Sequence, residues 1–337
     1  MKVISLDGSA GGGQMLRTAL SLSVVTGQPF RMNHLRGARR KPGLMRQHLA
    51  CVRAACAISG GTADGAEIGS TELVFRAGKV RSGTYEFAVG TAGSTGLVLQ
   101  TVLPALWQAG GASEVKIFGG THNPMAPPFE FLERVYLPAL AKMGARAQLE
   151  LKESGFAPVG GGCILAKVEP WESRMSFDVQ EPGELVASSI RVPFRELPVS
   201  IAGRMMDAAV QVFPCEDAQV KALPAGPGMG VACLVEAEFQ HTREMTCTFG
   251  AQGVSAERLG RRAGKAMRDW MGTGSAVGRH LADQLLLPMA LAGGGSFTTM
   301  SPDSHVETNL SVIHAFLGTQ HVWEDLGSGR LRLTLHP

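Results

Sequence analysis

The sequence predicts an α/β protein in which three similar units form one large domain, with a small domain of different character inserted between the second and third. Three observations carry this prediction. A loop–helix–glycine layout recurs three times, a second helix follows in each unit, and the stretch from Pro182 to Met271 matches none of the three.

Lys2 to Leu6 is a short apolar run that predicts a strand. Asp7-Gly8-Ser9-Ala10-Gly11-Gly12-Gly13-Gln14 turns the chain, and Met15 to Val25 predicts a helix ending at Gly27. In the second unit the loop is Gly90-Thr91-Ala92-Gly93-Ser94-Thr95-Gly96, the helix Leu97 to Trp107 and the stop Gly110-Gly111. In the third they are Ala282-Asp283-Gln284, Leu285 to Leu291 and Gly293-Gly294-Gly295. Glycine after the last apolar turn is a helix C-terminal signal, and a strand-like run follows each stop. Second helices are predicted over Leu44 to Ser59, Phe129 to Met143 and Thr308 to Phe316. Each unit thus reads strand–helix–strand–helix with further strands, its helices stacked on a sheet. The inserted stretch has strands at Leu185 to Val192, Gly230 to Phe239 and Thr246 to Phe249, and helices at Ile201 to Val212 and Ser255 to Met271. Ser255 is a capping residue, and Arg258, Arg261, Arg262, Lys265 and Arg268 fall on one polar face. Those cations read first as solvation of the helix and second as an RNA contact.

A chain of 337 residues with 45% hydrophobic and 18% charged residues is globular, with room for two domains. Its net charge of +3 is too small for a general polyanion binder, so any nucleic-acid contact is local. Six cysteines, Cys51, Cys56, Cys163, Cys215, Cys233 and Cys247, form no Cys-x-x-Cys pair and read as thiols in a reducing compartment. No leader pattern opens the chain and no apolar run is long enough for a bilayer, which predicts a cytoplasmic protein without a membrane partner.

The glycine loop before Met15 offers free backbone N–H groups at a helix start, with Arg17 one turn in. It fits neither familiar nucleotide loop, and glycine clusters also make ordinary turns. Arg36-Gly37-Ala38-Arg39-Arg40-Lys41-Pro42-Gly43-Leu44-Met45-Arg46-Gln47-His48 is the densest polar segment. Arginine forks suit phosphate oxygens, and beside the glycine loop this reading outweighs a solvated basic turn. His305 lies in a polar loop, Ser301 to Leu310, where a nucleophilic or acid–base role and a helix-capping role both fit. The carboxylates show no spacing for a metal cage or an acid pair.

Taken together, the motifs resemble those of RNA 3′-terminal phosphate cyclases over nearly the whole chain. They are Leu6-Asp7-Gly8 with Gly11 to Arg17; Arg36 with Arg39; Lys41 to Leu44 with Arg46-Gln47-His48; Leu99 to Leu106; Gly119-Gly120-Thr121 with Asn123-Pro124 and Pro127-Pro128; Gly155-Phe156 with Pro158 and Gly160 to Gly162; Leu281 to Leu285; and His305 with Thr308-Asn309. The resemblance implies three βαβαββ-type repeats with an inserted small α/β domain. This agrees with the residues' own division into a large repeat-built domain over 1–181 and 272–337 and an inserted small α+β domain at 182–271. It also implies a reaction. A histidine takes AMP from ATP, AMP passes to an RNA 3′-phosphate, and the vicinal 2′-OH closes a 2′,3′-cyclic phosphate as AMP leaves.

By position, the resemblance makes His305 the nucleophile, with Thr308 and Asn309 fixing its loop. Arg17, Arg36, Arg39 and Gln47 would bind the RNA 3′-phosphate or the ATP phosphates. Gln100, Pro127, His280, Leu281, Ala282, Asp283 and Gln284 would line the adenosine pocket, although Gln100 and Asp283 also read as buried polar groups satisfying backbone. ATP with Mg²⁺ or Mn²⁺ is the implied cofactor set, RNA with a 3′-phosphate end the implied partner, and a homodimer is left open. Three departures stand out. The family loop is two residues longer and carries a metal-holding glutamate where this chain has Ala10. His280 replaces an adenine-pocket tyrosine, and Ser154 replaces a basic residue before the Gly-Phe-x-Pro signature. A non-catalytic cyclase-like RNA-binding protein is therefore the alternative; an enolpyruvyl-type transferase, which lacks the His305 loop and the insertion, is a distant third.

Overall fold

The computed structural model describes residues 3–337; Lys2, where the first strand was predicted to start, lies outside the described residues. The first unit runs β1 (Ile4–Asp7), α1 (Gly13–Thr26), β2 (Phe30–Asn33), α2 (Arg46–Ser59), β3 (Thr62–Asp64) and β4 (Leu73–Arg76). Its sheet has the order β1-β2-β4-β3, with β1 and β2 parallel and the remaining pairs antiparallel. A parallel pair requires a crossover, which α1 supplies; the antiparallel pair at the end needs only a loop.

The second unit repeats the path. It runs β5 (Thr84–Ala88), α3 (Thr95–Leu106), β6 (Ser113–Gly119), then α4 (Phe129–Phe131) continuing through a π turn at Leu132–Tyr136 into α5 (Leu137–Lys142), then β7 (Ala147–Glu153) and β8 (Gly162–Val168). The order β5-β6-β8-β7 is that of the first sheet, element for element.

The third unit begins at β9 (Phe177–Val179) and then leaves its sheet. The chain forms β10 (Leu185–Arg195), α6 (Val199–Val210), β11 (Asp217–Ala222), β12 (Gly230–Phe239), β13 (Arg243–Phe249) and α7 (Ala256–Thr273), whose strands make a separate sheet of order β11-β10-β12-β13. It returns as α8 (Arg279–Ala292), β14 (Gly295–Met300), α9 (Ser304–Leu317), β15 (Gln320–Asp325) and β16 (Arg330–His336). Here β9 lies parallel to β14, and the order β9-β14-β16-β15 again matches the first two sheets. The first helices of the three units are thus α1, α3 and α8.

Period-two alternation places the inserted sheet between two cores. Val231, Cys233, Val235 and Ala237 of β12 pack with α6 and α7, whereas Ala232 and Leu234, with Met245 of β13, join the core of the main body. Within that body α1 is buried on nearly every side from Met15 to Val24. Its buried serines are satisfied by backbone: Ser21 Oγ donates to Thr101 O at 2.7 Å and Ser23 Oγ to Gln28 O at 2.6 Å.

α1, α3 and α6 each start two residues before their predicted first residues, and three further helix starts differ in ways that bear on the site. Leu44 donates its N–H to Ser70 O and Met45 is extended, so α2 begins at Arg46 rather than Leu44. The third unit's first helix begins at Arg279, so Ala282-Asp283-Gln284 is helix, not the loop before it. Asp303 caps α9, which starts at Ser304 and takes His305 out of the predicted loop into the first helical turn.

Candidate active site

The N-terminus of α1 is capped by Gly12, which has no side chain to offer, so its first N–H groups point away from the helix unclaimed by a capping side chain. The glycines let charged groups come close over them. A Cβ on Gly12 would lie 2.8 Å from Arg39 Nη2, and one on Gly13 would lie 2.4 Å from His48 Nε2 and 3.2 Å from Arg17 Nη1. Arg17 is half-buried, and among the described residues its guanidinium makes no hydrogen bond or ion pair. Burial pulls the affinity of this guanidinium for its proton below the usual arginine range, while Cys51 and Asp283 oppose the shift.

His48 sits in the first turn of α2. Its Nδ1 accepts the Met45 N–H at 3.0 Å, so the ring proton belongs on Nε2, the atom facing the glycine loop. Burial, then the charges of Arg17 and Arg36, push its pKa down to about 3, which makes it a neutral donor at physiological pH. Next to it, Gln47 Oε1 accepts the Ser94 N–H at 3.2 Å and ties the cluster to the loop before α3. Arg36 is more committed to its own loop. Its Nη1 donates to Lys41 O at 2.9 Å and to Gly43 O at 2.7 Å, bracing a residue whose φ is 57°.

His305 is fixed by Asp303 through two contacts. Asp303 Oδ1 accepts the His305 backbone N–H at 2.9 Å, and Oδ2 lies 3.3 Å from the ring Nδ1. With its proton on Nδ1, the ring turns Nε2 toward Arg39 Nη2, 3.4 Å away. The imidazole therefore presents a lone pair beside a cation and above the α1 loop. That is the arrangement required of a nitrogen nucleophile acting on an anionic electrophile. Thr308 Oγ1 donates within its own helix, to Ser304 O at 3.0 Å and His305 O at 3.1 Å. Asn309 joins three helices: Nδ2 donates to Asp283 O at 3.1 Å, and Oδ1 accepts from Thr18 Oγ1 at 2.7 Å.

The adenosine-pocket candidates divide into two groups. Asp283 Oδ1 accepts from Gln14 Nε2, while Gln100 Nε2 donates to Gln284 Oε1 at 2.5 Å and Gln284 Nε2 to His280 O at 2.8 Å. These bonds form a polar seam between α1, α3 and α8 with His280 exposed at one end. Leu281 and Ala282 instead point into the body's core and offer the seam no side chain. Pro127 lies beside Gly96 in the first turn of α3, its carbonyl 3.6 Å from where a Gly96 Cβ would be.

Burial raises the Asp283 pKa to about 6, against the pull of Gln14 and His305. Folded protein therefore keeps a proton that unfolded chain releases from about pH 4 upward, so this group's contribution to stability falls as pH rises toward 6. Asp283→Asn is expected to remove that slope. Between these pH values wild type should lose on the order of 2 kcal/mol more than the variant in denaturant unfolding, solvent screening discounted. Parallel pH profiles would contradict the assignment.

Among the described residues no group of three or more His, Cys, Asp or Glu side chains could hold a metal ion. Near the glycine loop, Asp7 Oδ1 is already engaged, accepting the Ser9 N–H at 2.9 Å and lying 3.0 Å from His34 Nδ1. Position 10 is an alanine, so the residues present do not make a protein-held divalent site. No helix among the described residues is long and apolar enough to cross a membrane.

Sequence reasoning missed Gln14 and Asp303 as candidate site residues and read His48 only as part of the basic segment, without a role of its own. Asp303 carried a usable signal, an acidic residue two before a histidine at a helix start. Gln14 and His48 become site residues only once α1, α2 and α8 are brought together.

Residues 9–322 match the family described as RNA 3′-terminal phosphate cyclase. A protein of that description from Ectopseudomonas mendocina is 45% identical over 334 residues, 98% of each chain. One from Pseudomonas fluorescens is 45% identical over 336 residues, 99% of this chain and 98% of its own, and one from Salmonella enteritidis is 43% identical over 332 residues, 98% of each.

Proposed function

The chain belongs to the RNA 3′-terminal phosphate cyclase family of enzymes, and from that premise we propose that it closes an RNA 3′-phosphate to a 2′,3′-cyclic phosphate through AMP carried on His305. One observation carries this most directly: Asp303 holds His305 Nδ1 while Nε2 faces Arg39. His305 Nε2 attacks the α-phosphorus of ATP, the bond to pyrophosphate breaks, and a phosphoramidate forms. Asp303 offsets the charge that the ring gains. An oxygen of the RNA 3′-phosphate then attacks the same phosphorus, breaking the N–P bond and returning the lone pair to Nε2. The 2′-OH finally attacks the RNA phosphorus, AMP leaves, and the hydroxyl proton passes to solvent. A phosphomonoester oxygen leaves poorly whereas AMP leaves readily, and the adjacent hydroxyl is already in place.

In this reading the phosphates lie against the α1 N-terminus, with Arg17, Arg39 and the His48 Nε2–H as donors. Gln47 keeps the loop before α3 in register with them, and Arg36 braces the loop that carries Arg39. Adenosine lies along the seam of Gln100, Asp283 and Gln284, with His280 and Pro127 at its ends. We assign 1–181 and 272–337 to the catalytic body and 182–271 to the inserted unit. The six cysteines are unpaired, which supports a reducing, cytoplasmic setting.

The test is direct. ATP labelled in the α-phosphate should leave acid-labile AMP on the protein, and RNA with a 3′-phosphate should chase it into a cyclic end. RNA binding that persists with no label and no ATP turnover would instead establish the non-catalytic alternative, which Ala10 favours. Ala10→Glu supplies the carboxylate that the family loop carries. It is expected to lower the divalent-metal concentration for half-maximal adenylylation several-fold, on the order of one charge-assisted contact. An unchanged metal dependence would show that this position does not reach the ion.

A further inference from the structure

A buried carboxylate in the inserted sheet is not used by the chemistry above. Glu244 of β13 is 4% exposed and has no cationic partner among the described residues. Burying such a group is costly unless its charge is met in another way. Its two contacts are backbone N–H groups. Oε1 accepts from Met245 at 3.0 Å, and Oε2 accepts from Gly278 at 2.8 Å. Gly278 is the N-cap of α8, the helix that brings Asp283 and Gln284 to the seam.

In a capping box the residue three positions into a helix accepts the N-cap N–H. That position in α8 is Leu281, which cannot. Glu244 accepts that N–H from the inserted sheet and, when ionised, adds a negative charge at the positive end of the helix dipole. The approach is close: a Cβ on Gly278 would lie 2.2 Å from Oε2. The segment leading to the cap is pinned from its other side. Ala276 N–H donates to Thr298 Oγ1 at 3.0 Å and Val277 N–H to Thr298 O at 3.0 Å, both on β14. The start of α8 is therefore clamped between the inserted sheet and the third unit's sheet. Burial lifts the Glu244 pKa to about 7 against the pull of its two backbone donors, a sign of how little else meets the charge.

We propose that Glu244 is a positioning residue through which the inserted unit sets the first turns of α8 and so tunes affinity for the nucleotide. The proposal rests on the reading of α8 as a wall of the adenosine site. It gives the insertion a task within the catalytic body, since a shift of this cap displaces Asp283 and Gln284 together.

The full chain is compared as wild type, Glu244→Ala, Glu244→Gln and Gly278→Ala. Amide hydrogen exchange over 278–284 and the ATP dependence of adenylylation are the two readouts. Glu244→Ala should speed exchange in this segment ~10-fold, with the insertion unchanged away from residues 244–245. It should raise the ATP concentration at half-saturation ~5–10-fold and leave the maximal rate within ~2-fold. Glu244→Gln keeps one oxygen for the Gly278 N–H and should recover most of both effects. Gly278→Ala displaces the carboxylate and should reproduce the alanine variant, and it decides the matter if Glu244→Ala does not fold. The proposal is overturned if exchange over 278–284 stays unchanged, if protection falls evenly across the insertion, or if alanine and glutamine variants behave alike. Should wild type form no adenylate, the nucleotide reading fails while the exchange comparison still decides the clamp.

Discussion

His305→Ala should abolish protein adenylylation and RNA cyclisation together, by at least ~10⁴-fold, because covalent catalysis is lost with its nucleophile. The substitution suits this test because the cap of α9 does not depend on the ring. Asp303 Oδ1 accepts the backbone N–H of residue 305, which alanine retains, so the helix start and its bonds to α8 stay in place. Circular dichroism and the denaturant midpoint should therefore be close to wild type, and RNA binding should persist at the Arg17–Arg39–His48 cluster. Label that remains on the His305→Ala protein would place the covalent site elsewhere. Asp303→Asn gives a graded companion result. The amide still accepts the backbone N–H but no longer offsets charge on the phosphorylated ring, so the rate should fall while the helix holds.

Much of this arrangement was legible in the sequence. The repeat showed itself because glycines follow each of the three crossover helices, directly at the caps of α1 and α8 and after the Trp107 cap of α3, and because apolar periodicity survives where a helix packs between sheet and neighbours. β11 went unread for the opposite reason. It is a short edge strand in which Ala218 and Val220 alternate with polar residues but are only partly buried, so its apolar signal is weak. The π turn at Leu132–Tyr136 left no local trace either, since it lies within one continuous apolar helical stretch.

The site divides along the same line. Arg17 and Arg39 announced themselves by charge and by glycine nearby, whereas His305 stood out only by its polar loop, its role as nucleophile coming from the family resemblance. Leu281 and Ala282 shared a motif with Asp283 and Gln284, yet consecutive helical residues face different directions, and these two face the core. The tautomer of His48 depends on the Met45 N–H, and the orientation of His305 on Asp303. Both are three-dimensional facts with only a faint sequence mark. Glu244 left none, because its partner Gly278 lies 34 residues away on another element.

Arg17→Ala is expected to give the second largest loss, ~10²–10³-fold in adenylylation and cyclisation, at almost no cost in stability. The reasoning begins with what Arg17 does not touch. Its guanidinium is half-buried one turn into α1 with no protein acceptor among the described residues, so its removal orphans no buried group. What disappears is a donor fork held against the free N–H groups of the helix, which on a transferring phosphoryl group accounts for about 3–4 kcal/mol of barrier. Lysine should recover little, because a single ammonium cannot reproduce two parallel bonds to phosphate oxygens. His48 supplies a check independent of catalysis. The charge of Arg17 is the second cause of its low pKa, after burial. In Arg17→Ala the His48 pKa should climb from about 3 yet remain below neutrality, visible as a shifted imidazole titration by NMR. A rate loss without that shift would mean that Arg17 acts away from the α1 loop; a shift without a rate loss would remove it from the phosphate site.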